Sequence, residues 1–408
     1  MEKLNCVVHD IVNEFGPDPS KTDRYSRMSG QGMWTIFPVI TKLTDISDWT
    51  LIIEDTSKVN ISNFKSFISH EKQGTTKFYG FALKDKEPTI THHYGAYVPK
   101  DFIYPYFAAG VILSKDVISK IKKSPKPLNG FSIDSKYEFA QKLTNLYQIG
   151  MEDRSDILCC DPNPSTECIV ECLSDIPDKQ SVISDDDIKV MIKTFEGYHN
   201  TRIPIIKSTW TSDIKHVEYC SDKTDNNIPT IDMGVENTQN GHCGKTWAIM
   251  RRYLETDTQS KWLLIADDDT LISWERMKVM LEDYDSDEEI IIGERYGYGF
   301  DVNGNAGYDY PTGGSGMIFS RKAVQGILDA CPNCHQMNDP DDMLIGLCAL
   351  EHSIPIIHQS RMHQAKYNEY PQSIIISPIS FHKFNEIDPV EMYNKYLKPK
   401  KHNEKNEL

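Results

Sequence analysis

Long apolar runs are missing from this chain of 408 residues. No stretch of about 18 or more apolar residues occurs, which excludes a transmembrane helix. The first ten residues also lack the apolar core of a signal peptide, which by itself indicates a cytosolic protein. Basic residues are few relative to acidic ones: 44 Lys and Arg against 60 Asp and Glu give a formal net charge of −16. This surplus of negative charge argues against nucleic-acid binding, which requires a basic face.

Histidines spaced as zinc ligands are also missing beside the ten cysteines. Four cysteines cluster between residues 159 and 172, and Cys331 and Cys334 form a distant Cys-x-x-Cys. This pattern favours disulfides, of open pairing, over a zinc site, and disulfides indicate an oxidising compartment. The final Lys-Asn-Glu-Leu (405–408) differs by one residue from an endoplasmic-reticulum retrieval signal. We therefore expect a protein of the endoplasmic-reticulum lumen whose signal peptide is absent from this sequence.

The length of the chain exceeds what one hydrophobic core accommodates and predicts two or three domains. Residues 151–186 are rich in Cys, Pro and Asn and have the composition of a linker, and residues 396–408 form a tail. Strand-like and helix-like patterns alternate in both 1–150 and 187–395, which indicates α/β domains. In the second of these we predict a largely parallel sheet, with strands at 188–194 and 216–220 and helices at 203–210 and 246–256.

The second half of the chain contains an apolar run that is followed directly by three acidic residues. Residues 262–266 have the length of a buried strand, and Asp267, Asp268 and Asp269 follow at once. Clustered carboxylates at a buried strand end are costly unless a cation compensates them, and hard divalent cations prefer carboxylate oxygens. In open α/β sheets, ligands bind past the carboxyl ends of the strands. We therefore predict a metal here that holds a phosphate-bearing ligand; an acidic turn without a metal is the alternative.

The two halves of the chain resemble each other in four blocks that keep their order and spacing. The matched blocks are 32–35 with 244–247, 48–56 with 261–269, 104–115 with 310–321, and 131–135 with 340–342. Their polar residues differ: Glu54-Asp55 stands for the aspartate triplet, Phe107-Ala108 for Gly313-Gly314, and Asp134-Ser135 for Asp341-Asp342. We predict two tandem Rossmann-like domains, the first of them degenerate. The first copy either positions a protein substrate or only stabilises the second.

Other polar blocks of the second half are candidates for ligand binding. Lys245 follows two glycines at a predicted helix start, where backbone N–H groups and the lysine favour a phosphate. Gly313 and Gly314 would let a sugar lie against the backbone. Asp341 and Asp342 open a helix, where one carboxylate can cap the helix and the other can act as a general base. The remaining candidates are Thr194, Arg202, Asp222, His358, His363 and His382.

Together these residues resemble the fringe-like β1,3-glycosyltransferases. The resemblance rests on the aspartate triplet after a strand, the Gly-Gly-x-Gly block at 313–316, Pro-Asp-Asp with Gly346, and residues 192–210. It covers residues 187–395 closely and the first half more loosely. The resemblance implies a GT-A fold, a UDP-sugar donor and Mn²⁺, and makes the first half a degenerate GT-A-like copy.

The resemblance also implies roles for single residues. Asp269 is the principal metal ligand, joined by Asp267 and by His382, with His363 as second choice because the second His of the family's His-x-His is Ala365 here. Asp342 is the catalytic base and Asp341 the runner-up. The residues implied to bind the donor are Thr194, Arg202, Asp222, Lys245, Asp267, Asp268, Gly313 and Gly314.

Within the family, residues 261–273, 293–299, 340–346 and 379–383 are most similar to the members that add glucose to O-linked fucose. This similarity implies transfer of glucose from UDP-glucose to the fucose 3-hydroxyl of folded thrombospondin type-1 repeats. Because a UDP-sugar is α-linked, a β product requires inversion, for which one displacement assisted by a base suffices. Two alternatives stay open: another donor, such as UDP-galactose or UDP-N-acetylglucosamine, and an inactive, chaperone-like relative that binds client proteins.

Overall fold

The computed structural model describes residues 40, 43, 47–54, 57–84, 101–123, 135–160, 165–172, 176, 179–212, 214–298, 307–370, 372–384 and 386–399. The chain divides into two compact units. The first is Met1–Asp175, Gly297–Tyr308 and Pro371–Ile376, and the second is Ile176–Tyr296, Asp309–Tyr370 and Ser377–Leu408. Within the described ranges, no helix has both the length and the apolar character needed to cross a membrane.

The first unit is built on a four-stranded sheet in the order β1-β6-β3-β7, with β2, β9 and β8 in a second sheet and β4 and β5 in a third. Part of the segment predicted as a linker, 151–186, contributes the last three of these strands. The strands are β1 (Trp49–Ile52), β2 (Lys58–Val59), β3 (Phe78–Gly80), β4 (Ala82–Leu83), β5 (Tyr104–Pro105), β6 (Val111–Ser114), β7 (Glu152–Asp153), β8 (Leu158–Cys159) and β9 (Val170–Glu171). The helices are α1 (Ile61–His70), α2 (Lys115–Lys123) and α3 (Ser135–Tyr147), with a 3-10 turn at Phe107–Ala109.

The remaining elements begin at residue 185. The strands are β10 (Ile188–Lys193), β11 (Val217–Ser221), β12 (Thr230–Asp232), β13 (Trp262–Asp267), β14 (Thr270–Ile272), β15 (Ile291–Gly293), β16 (Arg295–Tyr298), β17 (Tyr308–Pro311), β18 (Met317–Ser320), β19 (Ile356–His358) and β20 (Ser380–His382). The α-helices are α4 (Ile203–Ser208), α5 (Cys243–Thr256), α6 (Trp274–Leu281), α7 (Arg321–Ala330), α8 (Asp341–His352) and α9 (Pro389–Met392). Shorter turns lie at Asp185–Asp187, Glu196–Tyr198, Tyr367–Glu369, Gln372–Ile374 and Tyr393–Leu397.

The second unit is built on a seven-stranded sheet in the order β12-β11-β10-β13-β18-β15-β19. The first four strands are parallel, as predicted, but β18 runs antiparallel to both β13 and β15. Parallel neighbours need a crossover connection, usually a helix. The chain instead reaches β18 from β15 through β16, β17 and a short glycine turn, so the strand reverses direction. Six of the seven strands therefore run in one direction, so the sheet is largely parallel, as predicted, with β18 as its antiparallel member.

The core of the second unit forms around β13. Its residues Trp262 to Ile265 are at most 1% exposed, because helices cover both faces of a strand in the middle of an α/β sheet. Burying each such side chain stabilises the fold by about 1.5–3 kcal/mol. The same burial holds the end of β13, where the acidic residues begin, in a defined place.

The main sheets of the two units share one strand-pairing register. In β1 and β6, Trp49 lies opposite Ser114, and in β13 and β18, Trp262 lies opposite Ser320. The first sheet continues antiparallel into β3 and then parallel into β7, as the second continues into β15 and then β19. A shift of one residue would turn every side chain of a strand to the other face of the sheet. Because the registers agree, the matched blocks 48–56 with 261–269 and 104–115 with 310–321 occupy equivalent positions in the two sheets.

A hydrogen bond beyond these strands is also shared. Ser57 Oγ donates to the Ala108 carbonyl at 2.8 Å, and Thr270 Oγ1 donates to the Gly314 carbonyl at 2.8 Å. The backbone turns at the same point in both units, at Gly110 with φ +84° and Gly316 with φ +86°, a conformation that favours glycine. The matched blocks at 32–35 and 131–134, and residues 55 and 56, lie outside the described residues.

Four disulfides join eight of the nine described cysteines. The Cys-x-x-Cys does not close on itself, since each of its cysteines pairs with a helix residue. Cys220 is the buried free cysteine among them. The pairs are Cys159–Cys168, Cys160–Cys172, Cys243–Cys334 and Cys331–Cys348.

Candidate active site

Two carboxylates and one imidazole meet at the end of β13. Ligand atoms of Asp267, Asp269 and His382 all lie within 4.8 Å of one another. His382 Nε2 is 3.1 Å from Asp269 Oδ1 and 3.8 Å from Asp267 Oδ2. The pairing of β14 with β20 delivers the histidine, because it places His382 opposite Thr270. The fold thus brings together the three residues that the sequence proposed as metal ligands, and this donor set fits a divalent cation.

The imidazole of His382 is held with one nitrogen toward these carboxylates. Its Nδ1 lies 3.0 Å from the Gln364 carbonyl, so Nδ1 carries the proton and Nε2 presents its lone pair to the cluster. Gly314 makes room for the ring, because a Cβ at this position would lie 2.3 Å from Nδ1. His363, the second choice from sequence, stacks on Phe381 with ring centroids 4.9 Å apart.

Asp268 is not one of these three residues and has partners of its own. Its carboxylate accepts from Thr194 Oγ1 at 2.7 Å and from Arg202 Nη1 at 2.8 Å. Arg202 Nη1 also lies 2.9 Å from Asp269 Oδ2, and its guanidinium carbon is 3.8 Å from the centre of the Tyr198 ring. Burial raises the pKa of Asp268 to about 6 despite these partners. Thr194 and Arg202 therefore orient the aspartate triplet.

Lys193 joins the cluster of Asp267, Asp269 and His382 to the start of α8. Its Nζ is 3.0 Å from Asp267 Oδ1 and 2.7 Å from Asp341 Oδ2, and Thr246 Oγ1 donates to the same Asp341 oxygen at 2.5 Å. Burial alone would raise the pKa of Asp341, but the ammonium group of Lys193 brings it below its ordinary value. Asp341 is therefore a charged residue whose hydrogen bonds fix the beginning of α8.

Asp342 has a different environment from its neighbour. Its Oδ2 accepts a hydrogen bond from the Gly313 backbone N–H at 3.2 Å, and no lysine or arginine among the described residues forms an ion pair with it. Burial, reinforced by the charge of Asp341, raises the pKa of Asp342 to about 6. A carboxyl group with such a pKa can take up a proton near neutral pH, which is what a general base requires.

Asp222 lies at the end of β11, and Lys245 reaches the end of β10 from a neighbouring helix. Lys245, in the first turn of α5, donates from Nζ to the Thr194 carbonyl at 2.5 Å and to Asn237 Oδ1 at 3.1 Å, and burial lowers its pKa. Asp222 directly follows β11 and accepts from the Glu196 N–H at 2.9 Å. The carboxyl-end edge of the sheet therefore runs from Asp222 through Thr194 to the cluster at Asp267.

The segment between α7 and α8 is fastened to α5. Disulfides join Cys331 to Cys348 in α8 and Cys334 to Cys243, the first residue of α5. The Trp247 indole N–H donates to the Cys331 carbonyl at 2.8 Å, and the Gly244 N–H donates to the Met337 carbonyl at 3.1 Å. These bonds hold the residues that lead into Asp341 and Asp342.

Comparison with known proteins places the chain in a family. A family model described as Fringe-like matches residues 183–403. The chain belongs to the Fringe-like family. The human protein named beta-1,3-glucosyltransferase is 38% identical over 402 residues, which cover 96% of this chain and 79% of the human protein. The mouse protein of the same name is 36% identical over 389 residues, covering 90% of this chain and 77% of its own.

Solved structures are less similar to this Fringe-like chain. A glycosyltransferase involved in the glycosylation of the major capsid of PBCV-1 aligns with 51% of this chain and 97% of its own length. The TM-score is 0.30 and the identity 11%, values at which we draw no conclusion from the likeness.

Two residues of this Fringe-like site, Thr246 and Gln364, were not singled out from the sequence. Lys193 was noted only as part of the block 192–210, without a role of its own. Its partners become visible once β10 and β13 are paired, because Lys193 then lies opposite Asp267. Gln364 acts through its backbone carbonyl. Every residue has this group, so no sequence pattern could have identified Gln364.

Proposed function

We propose that this chain is an inverting β1,3-glucosyltransferase. It transfers glucose from UDP-glucose to the 3-hydroxyl of O-linked fucose on folded thrombospondin type-1 repeats. The observation that carries this proposal is the cluster of Asp267, Asp269 and His382 within the same site as Asp342. Membership of the Fringe-like family and the names of the human and mouse relatives support β1,3-glucosyl transfer.

The metal would be held by Asp269, Asp267 and His382, and Mn²⁺ suits two carboxylates and an imidazole. A bound divalent cation supplies Lewis-acid stabilisation of the diphosphate as it departs. The protein's own part includes keeping Asp267 deprotonated. Burial alone would raise the pKa of Asp267, but the ammonium group of Lys193 holds it at about 2.

Asp342 takes the proton in the proposed reaction. The fucose 3-oxygen forms a bond to the anomeric carbon of glucose while the bond from that carbon to the UDP oxygen breaks, and the hydroxyl proton passes to Asp342. One displacement inverts the anomeric centre and needs no covalent intermediate on the enzyme. Asp341 is the weaker candidate, because its Oδ2 already accepts hydrogen bonds from Lys193 and Thr246.

Donor binding is assigned to the edge between Asp222 and the metal cluster. Asp222 and Lys245 lie at the strand ends beside Thr194. Arg202 and Asp268 form one ion-paired group with Asp269, so they shape the pocket beside the metal. Gly313 leaves its backbone close to Asp342, and Gly314 acts through the space it gives to His382.

We further propose that the chain contains two tandem GT-A-like domains, the first of which has lost its metal site. Their bounds remain those expected from sequence: 1–150, a Cys-rich linker at 151–186, a catalytic domain at 187–395 and a tail at 396–408. In β2 and β9, Lys58 lies opposite Glu171, as Leu271 lies opposite Phe381 in β14 and β20. The residue after Phe381 is His382, whereas the residue after Glu171 is Cys172, which forms a disulfide with Cys160.

The test is mass spectrometry of a fucosylated thrombospondin type-1 repeat after incubation with the full chain, UDP-glucose and Mn²⁺. The expected product carries one added hexose on fucose. Transfer from UDP-galactose or UDP-N-acetylglucosamine instead would replace the donor assignment. If no donor is transferred or hydrolysed, the proposed activity is wrong and the chaperone-like alternative is favoured. The four disulfides support residence in an oxidising compartment such as the endoplasmic-reticulum lumen.

A further inference from the structure

A series of hydrogen bonds ends on the carboxylate of Asp222. His199 Nε2 lies 2.7 Å from Ser221 Oγ, and Ser221 Oγ lies 3.1 Å from Asp222 Oδ1. The carboxylate can only accept, so the single hydroxyl hydrogen of Ser221 is donated to Asp222. The serine oxygen then accepts from His199, whose Nε2 must carry the proton. The hydrogen-bond network thus fixes both donors in the direction of Asp222.

Neither donor can contact a ligand directly. Ser221 is 0% exposed and His199 is 3% exposed, whereas Asp222 is half-buried. The Glu196 N–H, from the turn between β10 and α4, also donates to Asp222 Oδ1 at 2.9 Å. Since both bonds end on Oδ1, the second carboxylate oxygen is the one left to accept a hydrogen bond from a ligand.

The same residues resemble a hydrolase triad in composition but not in arrangement. Asp225 Oδ2 is 3.6 Å from His199 Nδ1, so an acid, an imidazole and a serine lie in a row. A nucleophilic serine must be accessible and must give its proton to the imidazole. Ser221 is fully buried, and its hydroxyl donates a hydrogen bond to Asp222. The row therefore positions a carboxylate and does not activate a hydroxyl.

The position of Asp222 identifies which part of a nucleotide it would meet. In the sheet order β11-β10-β13, Asp222 follows β11 and the metal cluster follows β13. Two strand spacings separate these ends by roughly 10 Å. A carboxylate repels phosphate and accepts from neutral N–H and O–H groups. A nucleotide whose diphosphate lies at the metal cluster would therefore place its base or ribose at Asp222.

We propose that His199 and Ser221 are positioning residues that aim Asp222 at the nucleoside part of the donor. This inference rests on the proposed function, because it takes the donor to be a nucleoside diphosphate sugar. The lowered pKa of Asp222, for which burial is opposed by the Glu196 and Ser221 hydrogen bonds, is consistent with an acceptor that stays charged.

The test is a double-mutant cycle on UDP binding, measured by calorimetry with the full chain at saturating Mn²⁺. Ser221→Ala is expected to weaken UDP binding roughly five- to tenfold, and Asp222→Ala roughly ten- to hundredfold, as for hydrogen bonds to a charged group. In the Asp222→Ala background, Ser221→Ala should change UDP affinity by less than about twofold, because its effect passes through Asp222.

Tyr219→Phe is the matched control. It removes another buried hydroxyl from β11, one that contacts Thr211 Oγ1 at 2.9 Å, and should leave UDP affinity unchanged. Mn²⁺ binding without nucleotide should be the same in every variant, which shows that the metal cluster is intact.

Two outcomes would overturn this inference but leave the proposed function standing. In the first, Asp222→Ala weakens UDP binding strongly and Ser221→Ala does not change it. In the second, Ser221→Ala weakens UDP binding equally in the wild-type and the Asp222→Ala backgrounds. The second would mean that Ser221 only supports the fold. Normal UDP binding by Asp222→Ala would contradict the donor assignment itself, and the inference would fail with it.

Discussion

The strand ends after β1 and after β13 have the same backbone arrangement and different side chains. In both, a hydroxyl group beyond the buried strand, that of Ser57 or Thr270, donates to the carbonyl of a turn later in the unit at 2.8 Å. Glu54 stands where the register places Asp267, and Cys172 stands where it places His382. The backbone framework is therefore shared although the cluster residues are not, and the proposed chemistry depends on a few side chains that only the second unit has.

The difference extends to the turn that faces these residues. Gly314 faces His382 so closely that a Cβ would collide with the ring, whereas the equivalent residue of the first unit is Ala108. At the position equivalent to His382 the first unit has the disulfide-bonded Cys172, so no imidazole requires a glycine in the turn. The residue in the turn and the residue that faces it therefore depend on each other: glycine occurs with histidine, and alanine with cysteine.

The largest difference between the two units is expected when one carboxylate is removed from each strand end. Asp269→Ala should lower transfer roughly 10³-fold or more, because a metal supplies several kcal/mol of stabilisation and each 1.36 kcal/mol is tenfold in rate. Glu54→Ala should change turnover by no more than about twofold. Steady-state transfer to the fucosylated repeat measures both, with Mn²⁺ binding by electron paramagnetic resonance as the control. A large loss in Glu54→Ala would show that the first unit is catalytic.

The second comparison concerns the two helix starts matched in the sequence. α8 begins with Asp341 and Asp342, whereas α3 begins at Ser135, the residue matched to Asp342. Asp342→Asn should lower kcat roughly 10²–10⁴-fold, the usual contribution of a general base, and leave UDP-glucose affinity nearly unchanged. Single-turnover kinetics with parallel calorimetry separates the two quantities.

Asp341→Asn is the matched variant in the same turn. It removes the charge that Lys193 and Thr246 bind, so thermal unfolding should shift to lower temperature together with the loss of activity. Normal transfer by Asp342→Asn would contradict its assignment as the base.

The third comparison exchanges the two turn residues. Gly314→Ala should weaken Mn²⁺ binding about 10–100-fold, as expected when the orientation of a metal-binding histidine is disturbed. Ala108→Gly should leave Mn²⁺ binding unchanged and cost about 1 kcal/mol or less of stability through backbone entropy. Metal titration and denaturant unfolding measure these effects, and unchanged Mn²⁺ affinity in Gly314→Ala would remove His382 from the ligand set.

The smallest effect is expected in the pH profile. The pKa of Asp342 is raised to about 6, and a base works only in its charged form, which is populated above that pKa. At saturating Mn²⁺, kcat/KM should therefore fall as pH drops below about 6, approaching tenfold per pH unit. Glu54→Ala should show the same profile, since the first unit contributes no titrating base. A profile that is flat from pH 7 to 5 would contradict the assignment.

The sequence predicted the strand that carries the proposed metal ligands but not everything around it. The apolar run at 262–266 followed by three aspartates reveals both the strand and its acidic end, because the signal is local. His382 lies 113 positions after Asp269 in the sequence, and the resemblance to a known family, not periodicity, identified it. The ion pairs of Lys193 depend on which strands are neighbours, and a hydrophobic pattern carries no information on strand order.

The direction of β18 and the start of α5 could not be predicted from the sequence either. An apolar strand looks the same in either direction, so the antiparallel pairing with β13 had no signal. α5 begins at Cys243, three residues before the expected start, although His242 makes no side-chain cap bond there. The disulfide from Cys243 to Cys334 holds this first turn, and its pairing could not be deduced from spacing.

The two disulfides between α5, α8 and the segment joining α7 to α8 have a practical consequence for anyone producing this protein. A chain made in a reducing cytoplasm would complete its sheet, since β10, β13 and β18 need no cross-link. The turn that carries Asp341 and Asp342 would then be held by hydrogen bonds alone. Specific activity in such a preparation would report how completely the thiols were oxidised, and a spectroscopic check of secondary structure would not detect the defect.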